Sequence, residues 1–164
     1  MTLLNVCQLL ENTWPAVMVR ESPYGFQILV AAHLLGIVLS VGTLLWFDLR
    51  LLGRCAQRSR ISVLYRGLAP WFLSGFGVMF VSGVILFAAY ATSAYGNLFF
   101  RIKLAALVLA GANATFYHFT TRQTMPASDD APRPALPVRL EAISSIVLWT
   151  IVILAGRMMS YTMF

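Results

Sequence analysis

The sequence has little charge and few acidic residues. Of its 164 residues, 11% are charged, only six are Asp or Glu, and 59% are hydrophobic. A typical soluble domain carries about 25% charged and about 45–50% apolar residues. Because a soluble fold of this length could not bury so much apolar surface, the composition excludes a cytosolic globular enzyme and a disordered chain. It predicts a polytopic membrane protein.

Cysteines are few, and sequence motifs of catalysis are absent. The two cysteines, Cys7 and Cys55, do not form a disulfide framework. The sequence contains no phosphate-binding loop, dinucleotide fingerprint, nucleophile elbow or pair of catalytic carboxylates. The net charge of +6 is interpreted as the positive-inside bias of a membrane protein, so nucleic acid is not an expected partner. No motif identifies an enzyme.

Four apolar stretches are long enough to cross a bilayer, which takes about 20 residues each. They lie at about 26–47, 68–91, 98–119 and 143–163. Two of them carry small residues at four-residue spacing, which lets helices approach closely: Ala32, Gly36 and Ser40, and Ala106, Ala110 and Ala114. The predicted fold class is all-α, a bundle of four transmembrane helices in residues 23–164.

The segment before the first span reads as a separate interfacial element. In residues 1–22, Asn5, Gln8 and Asn12 share one helical face and apolar residues occupy the rest. This pattern predicts an amphipathic helix lying in the outer interface of the membrane. Pro15 and Pro23 suit the first turns of new helices.

The distribution of Lys and Arg predicts the orientation. Eight of the twelve basic residues fall in the two long loops after the first and third spans: Arg50, Arg54, Arg58, Arg60, Arg66, Arg122, Arg133 and Arg139. The positive-inside rule therefore places both loops in the cytoplasm and both termini outside. We expect a multi-pass protein of the bacterial inner membrane, with the lipid bilayer and a larger membrane protein complex as its partners.

Placing an ionisable side chain inside a membrane span costs about 2.5–3.5 kcal/mol near the centre. Each such residue is therefore a candidate for a functional or structural role. At 1.5 Å per residue, His33 lies roughly 5 Å to the outer side of the midplane and His118 roughly 15 Å to the inner side. This separation argues against one haem held by both histidines, and His118 fits an interfacial position. His33 is read in two ways: as a histidine bonded to a carbonyl or serine, or as an axial haem ligand.

Two further cations lie at the depth of His33. Lys103 shares a helix face with Ala106 and is the inward candidate, whereas Arg101 snorkels. Arg157 lies at a similar depth, and neither cation has an acid at that level. An anionic ligand such as a haem propionate, a quinone oxygen or a lipid phosphate would balance them. The alternative is that both cations snorkel to outer-leaflet phosphates.

A methionine completes the predicted site. Met158 lies at nearly the depth of His33, so it could serve as a second axial ligand; the alternative is ordinary packing. The sequence thus predicts a cofactor site of His33, Lys103, Arg157 and Met158, with His33 as the metal ligand and haem b as the cofactor.

Three strings carry a family resemblance: HLLGIVLSVGTLLWFDLRLLG (33–53), FRIKLAALVLAGANATFYH (100–118) and AGRMMSY (155–161). With the RESPY segment (20–24), they resemble an uncharacterised bacterial family of four-span membrane proteins. The layout is similar to the membrane copper-resistance D proteins and the haem-binding four-helix protoporphyrinogen oxidases. In the oxidases a histidine early in the first span and a lysine opening a later span are functionally important, and His33 and Lys103 match these positions. An acid expected one turn before the histidine is Val30 here.

Three functions remain open at this point. The first is a b-haem protein of electron transfer or oxidation, and the second is a non-catalytic subunit of a larger membrane complex. The third is Cu(I) handling at the outer face, because thioether and thiolate ligands suit Cu(I). The sulfur residues near that face are Cys7, Met18, Met158, Met159 and Met163.

Overall fold

The computed structural model describes residues 3–117, 119 and 134–163, and this part of the chain contains seven α-helices and no strand. The long helices are α3 (Gly25–Leu51), α4 (Ile61–Ala89), α6 (Leu98–Phe116) and α7 (Leu136–Met163). The short helices are α1 (Leu3–Glu11), α2 (Trp14–Glu21) and α5 (Ala91–Gly96). The predicted all-α class with four long apolar helices is confirmed.

The long helices carry their apolar residues on the outside as well as inside. Each has a stretch of 18 residues with a mean hydropathy between 1.4 and 2.4, and the part of it buried within the protein is 39% at most. Leu35, Val38 and Val108 are each about 70% exposed. Because water would not tolerate so many exposed apolar side chains, the protein is a multi-pass membrane protein with four helices that can span a bilayer.

The four long helices pack as two pairs. α3 runs along α4 and α6 runs along α7, and a contact between α3 and α7 joins the pairs. α3 and α4 cross at glycines: a Cβ added at Gly36 would lie 2.6 Å from the backbone nitrogen of Met79, and one at Gly75 would lie 2.6 Å from that of Ser40. The small-residue ridge predicted on the first span therefore lies at a backbone-to-backbone contact.

The short helices gather at one end of the bundle, which we call the cap end. α2 packs on α3 and α4, and α1 packs on α5. Glu11 Oε1 accepts a hydrogen bond from the Thr92 backbone (2.8 Å), and Arg20 donates to the carbonyls of Glu11 (2.7 Å) and Ala89 (3.2 Å). The segment predicted as one interfacial helix thus holds two, and Pro15 lies in the first turn of α2 as expected.

The opposite end, which we call the loop end, carries the link at residues 52–60 between α3 and α4. The helices here are longer than the predicted spans: α3 continues to Leu51, α4 begins at Ile61 and α7 begins at Leu136. Arg50, assigned to a loop by the sequence, is therefore helical and fully buried. Pro137 suits the first turn of α7 because its missing N–H costs nothing there. His118, Arg122 and Arg133 lie outside the described residues.

Candidate functional site

Ionisable and polar side chains lie inside the bundle in two layers. An apolar cluster that includes Met79, Ala106, Trp149 and Val152 separates them. The cap-side layer contains His33, Ser82 and Lys103. The loop-side layer contains Asp48, Arg50, Asn113, Glu141 and Ser145.

His33 faces α4 rather than lipid. Its Nδ1 lies 3.0 Å from Ser82 Oγ, and its ring also interacts with the backbone of Met79. A Cβ added at Gly83 would lie 3.0 Å from His33 Cε1, so the ring occupies space that only a glycine leaves open. His33 points into the bundle as predicted, and its partner is a serine, one of the groups named in the first of its two readings.

The Ser82 hydroxyl contacts Nδ1 of His33 and two backbone carbonyls of its own helix. Ser82 Oγ donates its single proton to the Val78 carbonyl at 2.6 Å. With the ring proton on Nδ1, His33 donates to Ser82 Oγ, and the hydroxyl proton stays directed at the carbonyl. In the neutral imidazole, Nε2 is then the nitrogen with the lone pair, which is the arrangement of a metal-binding histidine oriented by a second hydrogen bond.

Lys103 crosses from α6 towards α7. Its Nζ lies 3.5 Å from where a Cβ at Gly156 would stand, so a glycine again makes room for the side chain. The positive charge of Lys103 interacts electrostatically with His33. No carboxylate in the described part of the chain has such an interaction with Lys103. The prediction that Lys103 is the inward cation is confirmed, whereas Arg101 is exposed and lies 5.7 Å from the ring centre of Tyr95.

The remaining predicted contacts lie on the outer surface of α7. Arg157 is exposed, donates to Tyr161 Oη at 2.9 Å and lies 4.7 Å from the centre of that ring. Met158 is 44% exposed. The structure thus brings His33 and Lys103 together and leaves Arg157 and Met158 outside their packing.

The cap-side residues fit a haem by the chemistry of their donors. A neutral imidazole whose Nδ1 is hydrogen-bonded suits iron, and an ammonium without a counter-acid suits a propionate. Gly83 and Gly156 leave the space that the His33 ring and the Lys103 side chain occupy. Among the described residues of this layer, His33 is the side chain that could ligate iron.

The loop-side layer was missed by reasoning from the sequence. Asp48 is 4% exposed and accepts a hydrogen bond from Ser145, which joins α3 to α7. Arg50 is fully buried and donates from Nε to the Ser59 carbonyl at 3.0 Å. Ending the first span at residue 47 had placed Asp48 and Arg50 in a loop.

The partner helices contribute the rest of that layer. Glu141 is buried, and its backbone carbonyl accepts from Asn113 Nδ2 at 3.2 Å, which ties α6 to α7. Glu141 and Ser145 are four residues apart and share one face of α7. Two patterns in the sequence indicate this layer. One is the spacing of Glu141 and Ser145, and the other is the repeat of small and apolar residues from Gly36 through Ser40 to Phe47.

The sulfur residues are spread over separate helices. Cys7 of α1 is buried, Met18 of α2 is 56% exposed, and Cys55 lies at the opposite end of the bundle. Both cysteines are free. Among the described residues, no three His, Cys, Asp or Glu side chains lie close enough to hold a metal ion.

Comparison with known proteins adds a family and no function. No curated protein and no solved structure matches the chain. One family model matches residues 24–162, a range that covers α3, α4 and α6 in full and α7 up to residue 162, and that leaves out α1 and α2. The chain belongs to this family, which is described as a family of unknown function (DUF6644).

Proposed function

We propose that this small membrane protein binds a b-type haem through His33 and works in electron transfer or oxidation. The observation that carries the proposal is the chain of hydrogen bonds from His33 Nδ1 through Ser82 to the Val78 carbonyl. With the ring proton on Nδ1, this chain would leave the lone pair on Nε2 for a haem iron. A bound haem would supply a one-electron carrier within the membrane.

Each cap-side residue has a separate role in this proposal. Ser82 orients the imidazole, Lys103 supplies positive charge for the haem carboxylates, and Gly83 and Gly156 leave the space that these two side chains occupy. The further contacts predicted from the sequence, Arg157 and Met158, stay predictions with a smaller expected contribution, since both are exposed. With the orientation that the positive-inside rule predicts, the cap end faces the outside of a bacterial inner membrane.

The test is the absorption spectrum of the protein purified in mild detergent from haem-replete cells. We expect a Soret band, about one haem per chain by pyridine haemochrome assay, and loss of both in His33→Ala. His118→Ala is the matched control because it removes the other histidine, and we expect it to keep the band. A colourless wild-type protein, or a His33→Ala protein with its full haem content, would overturn the proposal.

A further inference from the structure

Packed side chains lie between the cap-side layer and the cap end of the bundle. Leu29, one turn before His33 on α3, packs against a cluster that α2 forms with the end of α4. The path to His33 from the cap end, along α3 and α4, is therefore closed. The buried members of the cluster are Ala16 and Val19 of α2 and Ala88 and Ala89 of α4.

A different side of the layer has no packing of backbone on backbone. In the described part of the chain α4 packs along α3 and α6 packs along α7, but the backbones of α4 and α6 stay apart along nearly all of their length. A pair of rings bridges them near the cap end, where Phe87 and Phe100 stack with centroids 5.0 Å apart and planes at 1°. Such rings can rotate aside, since side chains change rotamer far more easily than packed helices separate.

The residues next to this ring pair belong to the cap-side layer. Gly83 lies one turn before Phe87 on one face of α4. Lys103 lies one turn after Phe100 on one face of α6, and because the two helices run in opposite directions, both residues are on the loop side of the rings. Gly83 has no side chain to fill the gap, and a Cβ there would lie 3.0 Å from His33 Cε1. The gap between α4 and α6 thus leads to His33 and Lys103.

The exposure of the side chains agrees with an opening at this level. His33, Gly83 and Lys103 are each only half-buried. The neighbouring positions on α4 and α6 carry apolar side chains that the bundle does not cover, and in a membrane such side chains face hydrocarbon. The gap therefore opens towards lipid rather than water. These neighbours are Phe80, Val84 and Leu104, which are 59%, 50% and 46% exposed.

We propose that the gap between α4 and α6 is the route by which haem enters and leaves the cap-side layer from the membrane, and that the stacked rings of Phe87 and Phe100 retain it. This inference rests on the proposed function. The ligand is an apolar macrocycle with carboxylates, so it reaches the gap through lipid and meets the ammonium of Lys103 inside. The two rings add apolar contact at the entrance, which slows release.

The test links the two helices and measures haem transfer. Phe87→Cys and Phe100→Cys are combined in the full chain and joined by a short bis-thiol reagent. The background carries Cys7→Ala and Cys55→Ser, which remove the two free cysteines. Haem transfer to an excess of apomyoglobin should be about tenfold slower after linking than before, because release requires α4 and α6 to separate. Haem uptake by the linked haem-free protein should slow in the same way.

A second link at the same end of the bundle is the matched control. Asn97 of α6 donates to Thr162 of α7 at 2.7 Å, so Asn97→Cys and Thr162→Cys can be joined without tying α4 to α6. Both rates should then stay as they were before linking. Without any link, Phe100→Ala should speed haem transfer severalfold at full haem content. Phe72→Ala, which removes a ring stacked within α4 further towards the loop end, should not.

The outcomes separate this route from the proposed function. A protein that contains haem, but whose transfer rates do not respond to the link between α4 and α6, would overturn the route and leave the proposed function standing. A wild type that purifies without haem would overturn the proposed function, and the route with it.

Discussion

The cap-side and loop-side layers both place ionisable side chains inside the bundle, but they differ in charge and in what their contacts connect. The loop-side layer contains two acids and an arginine, and its hydrogen bonds join α3 to α7, α6 to α7 and α3 to the link that follows it. The cap-side layer contains His33 and Lys103, with no acid acting on Lys103 among the described residues.

This difference separates a structural role from a ligand-binding role. A buried polar group that bonds across helices offsets its own desolvation and holds the helices together. In the cap-side layer His33 bonds across α3 and α4 through Ser82, but Lys103 is a cation without a counter-acid and gains nothing comparable for the fold. Such groups are expected where a ligand completes the site. Substitutions in each layer test this difference.

The largest effect is expected where the crossing of α3 and α4 supports both layers. Gly36→Leu places a side chain against backbone atoms of α4, the nearest 2.6 Å from its Cβ, and backbone cannot move aside as a flexible side chain can. We expect little monodisperse protein by size-exclusion chromatography. Gly42→Leu, one and a half turns further along the same helix, has open space and should purify normally. Equal yields of the two variants would contradict the close crossing.

Removal of the buried arginine should come next. Arg50→Met keeps the aliphatic stem and removes the hydrogen bond to the Ser59 carbonyl. Bonds to a charged group are worth about 1.5–3 kcal/mol, so the thermal midpoint should fall by several degrees. Arg58→Met is the control because Arg58 is exposed at the same end, and it should change the midpoint little. A stable Arg50→Met protein would show that the loop-side layer does not hold the fold.

Two serines give the sharpest contrast between the layers. Ser145→Ala removes the hydrogen bond that buried Asp48 accepts. We expect the free energy of unfolding to fall by about 1–3 kcal/mol and the haem content to stay unchanged. Ser82→Ala removes the hydrogen-bond partner of His33 Nδ1. We expect it to lower the haem content, with a smaller loss of stability in the haem-free protein. Thermal unfolding and pyridine haemochrome assays measure the two quantities. If Ser145→Ala lowered the haem content and Ser82→Ala lowered the stability more, the loop-side layer would be the ligand site and the cap-side layer the structural one.

Lys103 should affect the cofactor more than the fold. Lys103→Met removes a cation that has no acidic partner in the described part of the chain, so we expect stability to stay the same or rise. Because a nearby positive charge favours the reduced form of a haem, the midpoint potential should fall. Potentiometric titration measures this shift. An unchanged potential would place Lys103 too far from the haem to act on it.

The smallest effect is expected at Arg157. Its side chain is exposed and bonded to Tyr161, so Arg157→Leu should weaken haem retention less than Lys103→Met does. Retention is measured as the rate of haem transfer to an excess of apomyoglobin. A larger effect of Arg157→Leu would mean that exposure is a poor guide to the contacts of the cofactor.

The sequence was sufficient for the fold class and for the inward side of α3 and α6. Hydropathy located the four long helices, and helical periodicity placed His33 and Lys103 inside the bundle, because their neighbours on one face are small. It was insufficient at the helix ends, since hydropathy falls where a span leaves the apolar core but the helix continues. Asp48 and Arg50 were therefore assigned to a loop.

The sequence was also insufficient for α7. Depth along a helix is fixed by residue number, but direction around it depends on which neighbours it packs against. Arg157 has the depth of His33 by counting, yet Val152 and Ala155 form the buried face and Arg157 lies outside it. Lys103, by contrast, follows the face of Ala106 and Ala110, whose small side chains mark the contact.

The most direct test of the division between the layers is to measure haem content and haem-free stability together in His33→Ala and Ser145→Ala. We predict that His33→Ala loses its haem, and that the thermal midpoint of its haem-free form falls less than that of Ser145→Ala, because only the α3–α4 bond to Ser82 is removed. Ser145→Ala should keep its haem and unfold at a lower temperature. Full haem content in His33→Ala, or no haem in the wild type, would contradict the account.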